Sequence, residues 1–168
     1  DALTNACYYL NVEKTRYIFS LKENLNKRFT DRRASVKDGE IDEEVKREIQ
    51  KIFGPKDFVE RVFFPEKSIQ ISDRPVIAFL IADLNRSMDE EKTTRTFAEQ
   101  MVRECGTSAR TFKSALIWVV AESAQPMREE ARKILAWLAI DGEADDLKLD
   151  EAQKRQLGEN IQKAKRDL

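Results

Sequence analysis

Two unbroken apolar runs, Val76 to Ala82 and Ala115 to Ala121, constrain this chain more than any other feature. Each is far shorter than the roughly 20 residues a membrane-spanning helix requires, and each has the length of a buried strand. The first run extends to Asp83 as a strand that ends in a carboxylate. Between the runs, Phe97, Met101 and Cys105 recur at four-residue steps, which predicts a helix with Gly106 just past its end. Upstream, Phe58 to Phe64 reads as a further strand closed by Pro65. Ile41, Val45, Ile49 and Ile52 form a helical stripe that stops at Gly54 and Pro55. Met88 to Lys92 and the acidic stretch Gly142 to Lys148 read as loops. Pro126 suits a first helical turn, and Met127, Ala131, Ile134, Leu135 and Leu138 face one way behind it. Asp150 then caps a last helix whose stripe is Leu149, Leu157, Ile161, Ala164 and Leu168. The expected class is α/β, a small mixed sheet flanked by helices, with an N-terminal helix-strand-helix unit and C-terminal helices.

Residues 1–36 read as that separate unit, and residues 37–168 as an α/β domain ending in two helices. In the first, Leu3, Ala6, Cys7 and Leu10 lie at helical spacing, Tyr17, Phe19 and Leu21 alternate as in a strand, and Leu25 and Phe29 resume a four-residue step. Ser20 and Glu23 stand in the relation of a capping box for the second helix. The linker Asn11 to Thr15 also fits the turn of a hairpin. In that case the unit is a helix followed by a strand pair, as at the end of a winged helix.

Composition removes several kinds of chemistry. The 168 residues contain no histidine, so histidine-based triads, histidine metal sites and imidazole switches are excluded within this chain. Two cysteines, Cys7 and Cys105, are too few for a disulfide framework or a Cys-rich zinc site, and they fit a reducing, cytoplasmic setting. None of the five glycines lies in a phosphate-wrapping loop with a Lys-Ser/Thr pair. Asp83 sits where a Walker B carboxylate would, but Leu84 follows it, and a strand-end or capping role is the simpler reading. Cys105 to Arg110 resembles a phosphatase loop, but the arginine comes one residue early and the cysteine follows a helix instead of a strand, so a buried thiol before a helix-ending glycine is the simpler reading. The acidic runs Asp89 to Glu91 and Asp141 to Asp146 read as solvated charge, since a calcium loop counted from Asp141 would need glycine where Asp146 stands and glutamate where Ala152 stands. Trp118 and Trp137 read as core. No catalytic or metal-ligating residue is assigned.

Thirty Lys and Arg against 31 Asp and Glu leave a net charge of -1, so any nucleic-acid contact must be local. Residues 1–36 carry a surplus of +3, most of it from Lys27, Arg28, Arg32 and Arg33. These four share part of a helical face and are the candidate nucleic-acid-binding residues. Glu23, four residues before Lys27, and Asp31 beside Arg32 also permit an ordinary ion-paired face.

Arg16 Tyr17 Ile18 Phe19, followed by Asn24 Leu25 Asn26 Lys27 and Asp31 Arg32, resembles the large prokaryotic AAA-like ATP-binding proteins grouped as domain of unknown function 499. A second stretch, an apolar strand before Ala136 Trp137 and Ile140, then Leu147, Leu149 and Gln153, lies in the order that family would show. The chain departs from the pattern at Ser114, where asparagine is expected, and at Ala121 Glu122, where Pro-Asp is common. The resemblance implies a region downstream of a P-loop ATPase module, from proteins encoded beside DNA methyltransferases in phage-defence or restriction loci. The opening Asp1 Ala2 Leu3, without methionine, is read the same way, as part of a larger protein.

The expectation is therefore a non-catalytic scaffold segment of a multidomain ATPase. Its partners would be the remainder of that ATPase and DNA or a DNA methyltransferase, with no membrane. No cofactor is expected in this chain, and ATP and Mg would belong to the parent protein. The alternative is a DNA-contacting module of the same protein, acting through the winged-helix-like N-terminal unit and its basic residues.

Overall fold

A computed structural model describes residues 6–13, 15–19, 22–54 and 59–168, without the side chains of residues 11 and 13. The fold is mixed α/β. Its elements run β1 (Leu10–Glu13), β2 (Arg16–Phe19), α1 (Leu25–Ser35), α2 (Asp38–Ile52), β3 (Glu60–Phe63), β4 (Ala78–Ile81), α3 (Glu91–Arg103), β5 (Glu104–Cys105), β6 (Ser108–Ala109), β7 (Leu116–Val119), α4 (Ala124–Gly142) and α5 (Glu151–Asp167). Among the described residues no helix is long and apolar enough to cross a membrane. The chain forms two compact units, one of residues 1–45 with 127–168 and the other of residues 46–126.

In the first unit, β1 and β2 pair antiparallel with Leu10 opposite Phe19 and Glu13 opposite Arg16. A hairpin is therefore present, but Asn11, Val12 and Glu13, read as part of its turn, are paired residues of β1, and Leu10, placed at helical spacing in the sequence, opens that strand. Ser20 lies outside the described residues, and the cap of α1 is Asn24. Its Oδ1 accepts from the backbone N–H of Asn26 and Lys27 at 3.1 and 3.3 Å. Its Nδ2 donates to the carbonyls of Cys7 and Leu10 at 2.9 and 2.8 Å. One buried amide thus ends the hairpin and starts the helix. Leu25 enters a core with Trp137, Ile140, Ala144, Leu149, Leu157 and Ile161. Phe29 stacks on Trp137 with ring centres 4.2 Å apart. As expected, Asp150 caps α5, completing a reciprocal pair with Gln153.

The second unit is built on a three-stranded parallel sheet of order β3-β4-β7. Ala78, Phe79, Leu80 and Ile81 of the central strand face Glu60 to Phe63 on one side and Leu116 to Val119 on the other. Both apolar runs thus contain strands shorter than the runs: Val76 and Ile77 lie exposed before β4, and Ala115 belongs to a helical turn before β7, where Ile117 is exposed. Leu80 packs with Ile71, Ala78 and Met101, and Phe97 and Trp118 close the cluster edge to face at 5.9 Å. Of the α2 stripe, Ile41, Val45 and Ile49 are buried, whereas Ile52 at the helix end is 62% exposed.

The helix through Phe97 and Met101 stops at Arg103. Glu104–Cys105 turns into a short hairpin with Ser108–Ala109, so Cys105 belongs to a strand and Gly106 to its turn. Gly106 adopts φ +65°, a conformation that L side chains rarely take, and an added Cβ would stand 3.1 Å from Ile69 Cδ1. Met88 to Lys92, read as loop, forms a single helical turn and then opens α3.

Arg110, only 3% exposed, ties this unit together. Its Nε donates to the Met101 carbonyl at 3.3 Å, Nη1 to those of Ile71 and Ser72 at 3.1 and 2.8 Å, and Nη2 to those of Ser68 and Ile71 at 3.0 and 3.1 Å. Asp73 answers from the same crossover, accepting from the backbone N–H of Thr111 and Phe112 at 2.8 and 2.9 Å. Those two bonds hold the Asp73 carboxyl below the usual carboxylate range.

Two outcomes follow. Arg110→Met strands several buried carbonyls without donors and should cost about 3 kcal/mol or more in urea unfolding. Arg110→Lys should recover little of that loss, because an ammonium lacks the planar fork that reaches both sides. In the first unit, Ile161→Asp places a charge among Leu25, Trp137 and Leu157 and should lower stability by about 3 kcal/mol. Unchanged denaturation midpoints would contradict both.

Candidate functional site

The four basic residues singled out in the sequence all lie on α1, and each meets a carboxylate. Lys27 pairs with Asp31 at 2.6 Å and Arg28 with Glu23 at 3.1 Å. Arg33 pairs with Glu129 at 2.7 Å, and Arg32 pairs with Glu143. The first two pairings are local, but the partners differ from those the spacing offered: Glu23 takes Arg28 instead of Lys27, and Asp31 takes Lys27 instead of its neighbour Arg32. The other two bring α1 to α4 and to the turn after it, which spacing cannot show.

Tyr8, not singled out in the sequence, organises the start of this face. Its hydroxyl donates to Asp31 at 2.5 Å, while Lys27 and Arg28 stand 5.3 and 4.8 Å from its ring centre. The bond from Lys27, followed by that from Tyr8, holds the Asp31 carboxyl below its ordinary range. The bond to Asp31 in turn pushes the Tyr8 phenol up, since ionisation would remove the donated proton beside a carboxylate. The Lys27 ammonium is raised by the same partner.

Next to this charged face the hairpin carries apolar groups outward. Phe19 is 81% exposed and Tyr9 and Tyr17 are each 51% exposed, with Val12 and Ile18 also open to solvent. An open depression of about 510 Å³ beside Tyr9 is lined by Lys22, Glu23, Arg28, Asp150 and Gln153. The Gln153 Nε2 donates to the Glu23 carbonyl at 2.9 Å, and Lys22 pairs with Asp150 at 2.7 Å. The entries to α1 and α5 are thereby joined. The Lys22 bond, then that from the Gln153 N–H, holds the Asp150 carboxyl low.

The remaining sequence candidates resolve into structural roles. Asp83 accepts from the Asn85 N–H at 2.9 Å, as a capping residue does, and faces Lys46 at 3.4 Å. Arg110 points at backbone carbonyls, while the Cys105 Sγ lies 3.8 Å from the Ile71 carbonyl, so the two do not enclose a common anion site. Asp89 accepts from Ser87, from Ser123 and from the N–H of Ala124 at 2.9 Å, which makes it a cap for α4. The Ala124 bond leads in holding its carboxyl low. Glu143 and Asp145 of the second acidic run pair with Arg32 and Lys154. No group of three metal-ligating side chains occurs among the described residues. Trp118 and Trp137 pack in the two cores.

Comparison of the chain with family models, curated proteins and solved structures finds no match among them.

Replacing Asp31 by asparagine should move the Tyr8 phenol titration down toward about 10, because the carboxylate that opposes phenolate formation is gone. NMR of the tyrosine ¹³Cζ signals reads this directly. A Tyr8 midpoint that does not move would break the link between the two groups.

Proposed function

We propose that the chain is a non-catalytic interaction segment of a large multidomain prokaryotic ATPase, a scaffold between the ATP-hydrolysing module and a partner in phage defence. The observation that carries this reading is the division of surface on the first unit. The cations of α1 already face carboxylates, while the hairpin beside them turns Tyr9, Tyr17 and Phe19 to solvent. Phosphate binding would require the cations to leave those pairs. An aromatic, amphipathic surface with a charged rim has the composition of a protein contact.

The residues behind the family resemblance have physical roles in this same unit. Asn24 joins hairpin to helix, Leu25 and Trp137 share a core, and Gln153 bonds to Glu23. ATP and Mg²⁺ would be held by the P-loop module of the parent, since this chain has no glycine-rich phosphate loop. A cytoplasmic setting accompanies this reading.

Calorimetric titration of the chain against the P-loop module of the same reading frame tests the proposal. Binding is expected, and Tyr17→Ser with Phe19→Ser should weaken it by about 2 kcal/mol, roughly 30-fold in Kd, with the melting temperature retained. Turnover of ATP by the chain alone would overturn the non-catalytic reading. Failure to bind the module would favour the DNA-contacting alternative if it came with salt-sensitive duplex binding at about 50 mM salt that alanine at Lys27, Arg28, Arg32 and Arg33 abolished.

A further inference from the structure

The second unit contains a cleft of about 400 Å³ that the scaffold reading does not use. It opens at the carboxyl ends of the parallel strands β3 and β4. Phe64, Pro65 and Glu66 follow β3 along one wall, Asp83 to Arg86 follow β4, and Lys46 and Phe97 complete the lining. Ligands of open parallel sheets bind outside the carboxyl ends of the strands, where loops diverge and side chains converge. The volume falls in the range of small-molecule sites.

The chain takes an unusual path to form this cleft. Phe64 adopts φ 52°, which is disfavoured for a bulky L side chain. Its N–H still donates to the Ile81 carbonyl at 2.8 Å, so the sheet holds it in that conformation. The result places the Phe64 ring in the wall, with the Lys46 Nζ 5.9 Å from its centre. Across the lining, the Arg86 guanidinium lies 4.3 Å from the centre of the Phe97 ring.

Charge selects the ligand. Lys46 and Arg86 are balanced by Glu66 and Asp83, so the lining is formally neutral. Lys46 is committed to Asp83 at 3.4 Å. Arg86 makes no ion pair among the described residues; its guanidinium carbon lies over the Phe97 ring, and a guanidinium so placed can offer its planar N–H donors to an oxyanion. With Asp83 paired to Lys46, the carboxylate of Glu66 on the exposed rim opposes a highly charged ligand, and Phe64, Pro65 and Phe97 offer an apolar surface.

We infer that this cleft binds a small organic acid, an apolar body bearing one carboxylate, with Arg86 holding the carboxylate and Phe64 and Phe97 flanking the body. A phosphate monoester shares the oxyanion but brings further negative charge toward Glu66, and it should bind more weakly. The inference stands independently of the scaffold proposal, because it concerns residues of the other unit.

Phenylacetate and phenyl phosphate serve as probes in titrations of the ¹⁵N-labelled chain followed by NMR. Phenylacetate should produce saturable shifts at the amides of Phe64, Arg86 and Phe97, and phenyl phosphate should bind at least severalfold more weakly. Arg86→Gln should weaken phenylacetate binding about tenfold or more. Glu66→Gln, on the exposed rim, should narrow the difference between the probes, and it remains informative if the arginine variant does not fold. No saturable shifts with phenylacetate, equal or tighter binding of phenyl phosphate, unchanged affinity in a folded Arg86→Gln, or an unaltered preference in Glu66→Gln would each overturn the assignment.

Discussion

A single buried guanidinium sets the geometry of the parallel-sheet unit. The crossover from β3 to β4 carries only one short helical turn, at Ser68–Gln70, so its carbonyls have no regular ladder to enter. Buried backbone acceptors need donors. Arg110 supplies them on several sides at once, reaching Ser68, Ile71, Ser72 and the end of α3 at Met101. Asp73 does the converse for the N–H groups of Thr111 and Phe112. The path leading into β4 is thereby fixed, and with it the loops that surround the cleft at the carboxyl end of that strand.

Asn24 has the equivalent place in the other unit. Its donors close the segment around the hairpin and its acceptor opens α1, so strand and helix cannot shift independently. Once α1 is directed this way, Leu25 and Phe29 turn toward Trp137, and Arg32 and Arg33 reach Glu143 and Glu129. Exposed ion pairs of this kind contribute little stability each. Their consequence is positional: the cations of α1 face carboxylates, while Tyr17 and Phe19 of the hairpin stay exposed.

The resolution of the sequence candidates shows which signals are reliable. Apolar runs and helical stripes identified β4, β7, α3 and α5 because burial on one face imposes a short period on the chain. The same reasoning extended the α3 stripe to Cys105, since a four-residue step continues in sequence whether or not the helix does. The helix stops at Arg103, and Cys105 enters a hairpin that turns at Gly106, where Ile69 approaches closely. Asp89 looked like solvated charge because its partners Ser123 and Ala124 lie far along the chain. Arg110 drew notice only through a loop resemblance, for no residue pattern announces a side chain whose partners are backbone carbonyls. Arg86 carried no signal at all. Its position relative to Phe97 requires the turn after β4 and the course of α3 together.

The sequence by itself determined the α/β class, the principal apolar strands and stripes, the absence of imidazole chemistry and the Asp150 cap. Each of these depends on composition or on residues a few positions apart. Only the tertiary structure decided the parallel order β3-β4-β7, the pairing of α1 cations with carboxylates from α4 and its following turn, and the convergence of Phe64, Asp83, Arg86 and Phe97 on one cleft. Those features join residues distant in the chain. Their geometry follows from which backbone groups must be satisfied when the strands align, a condition that no local period encodes.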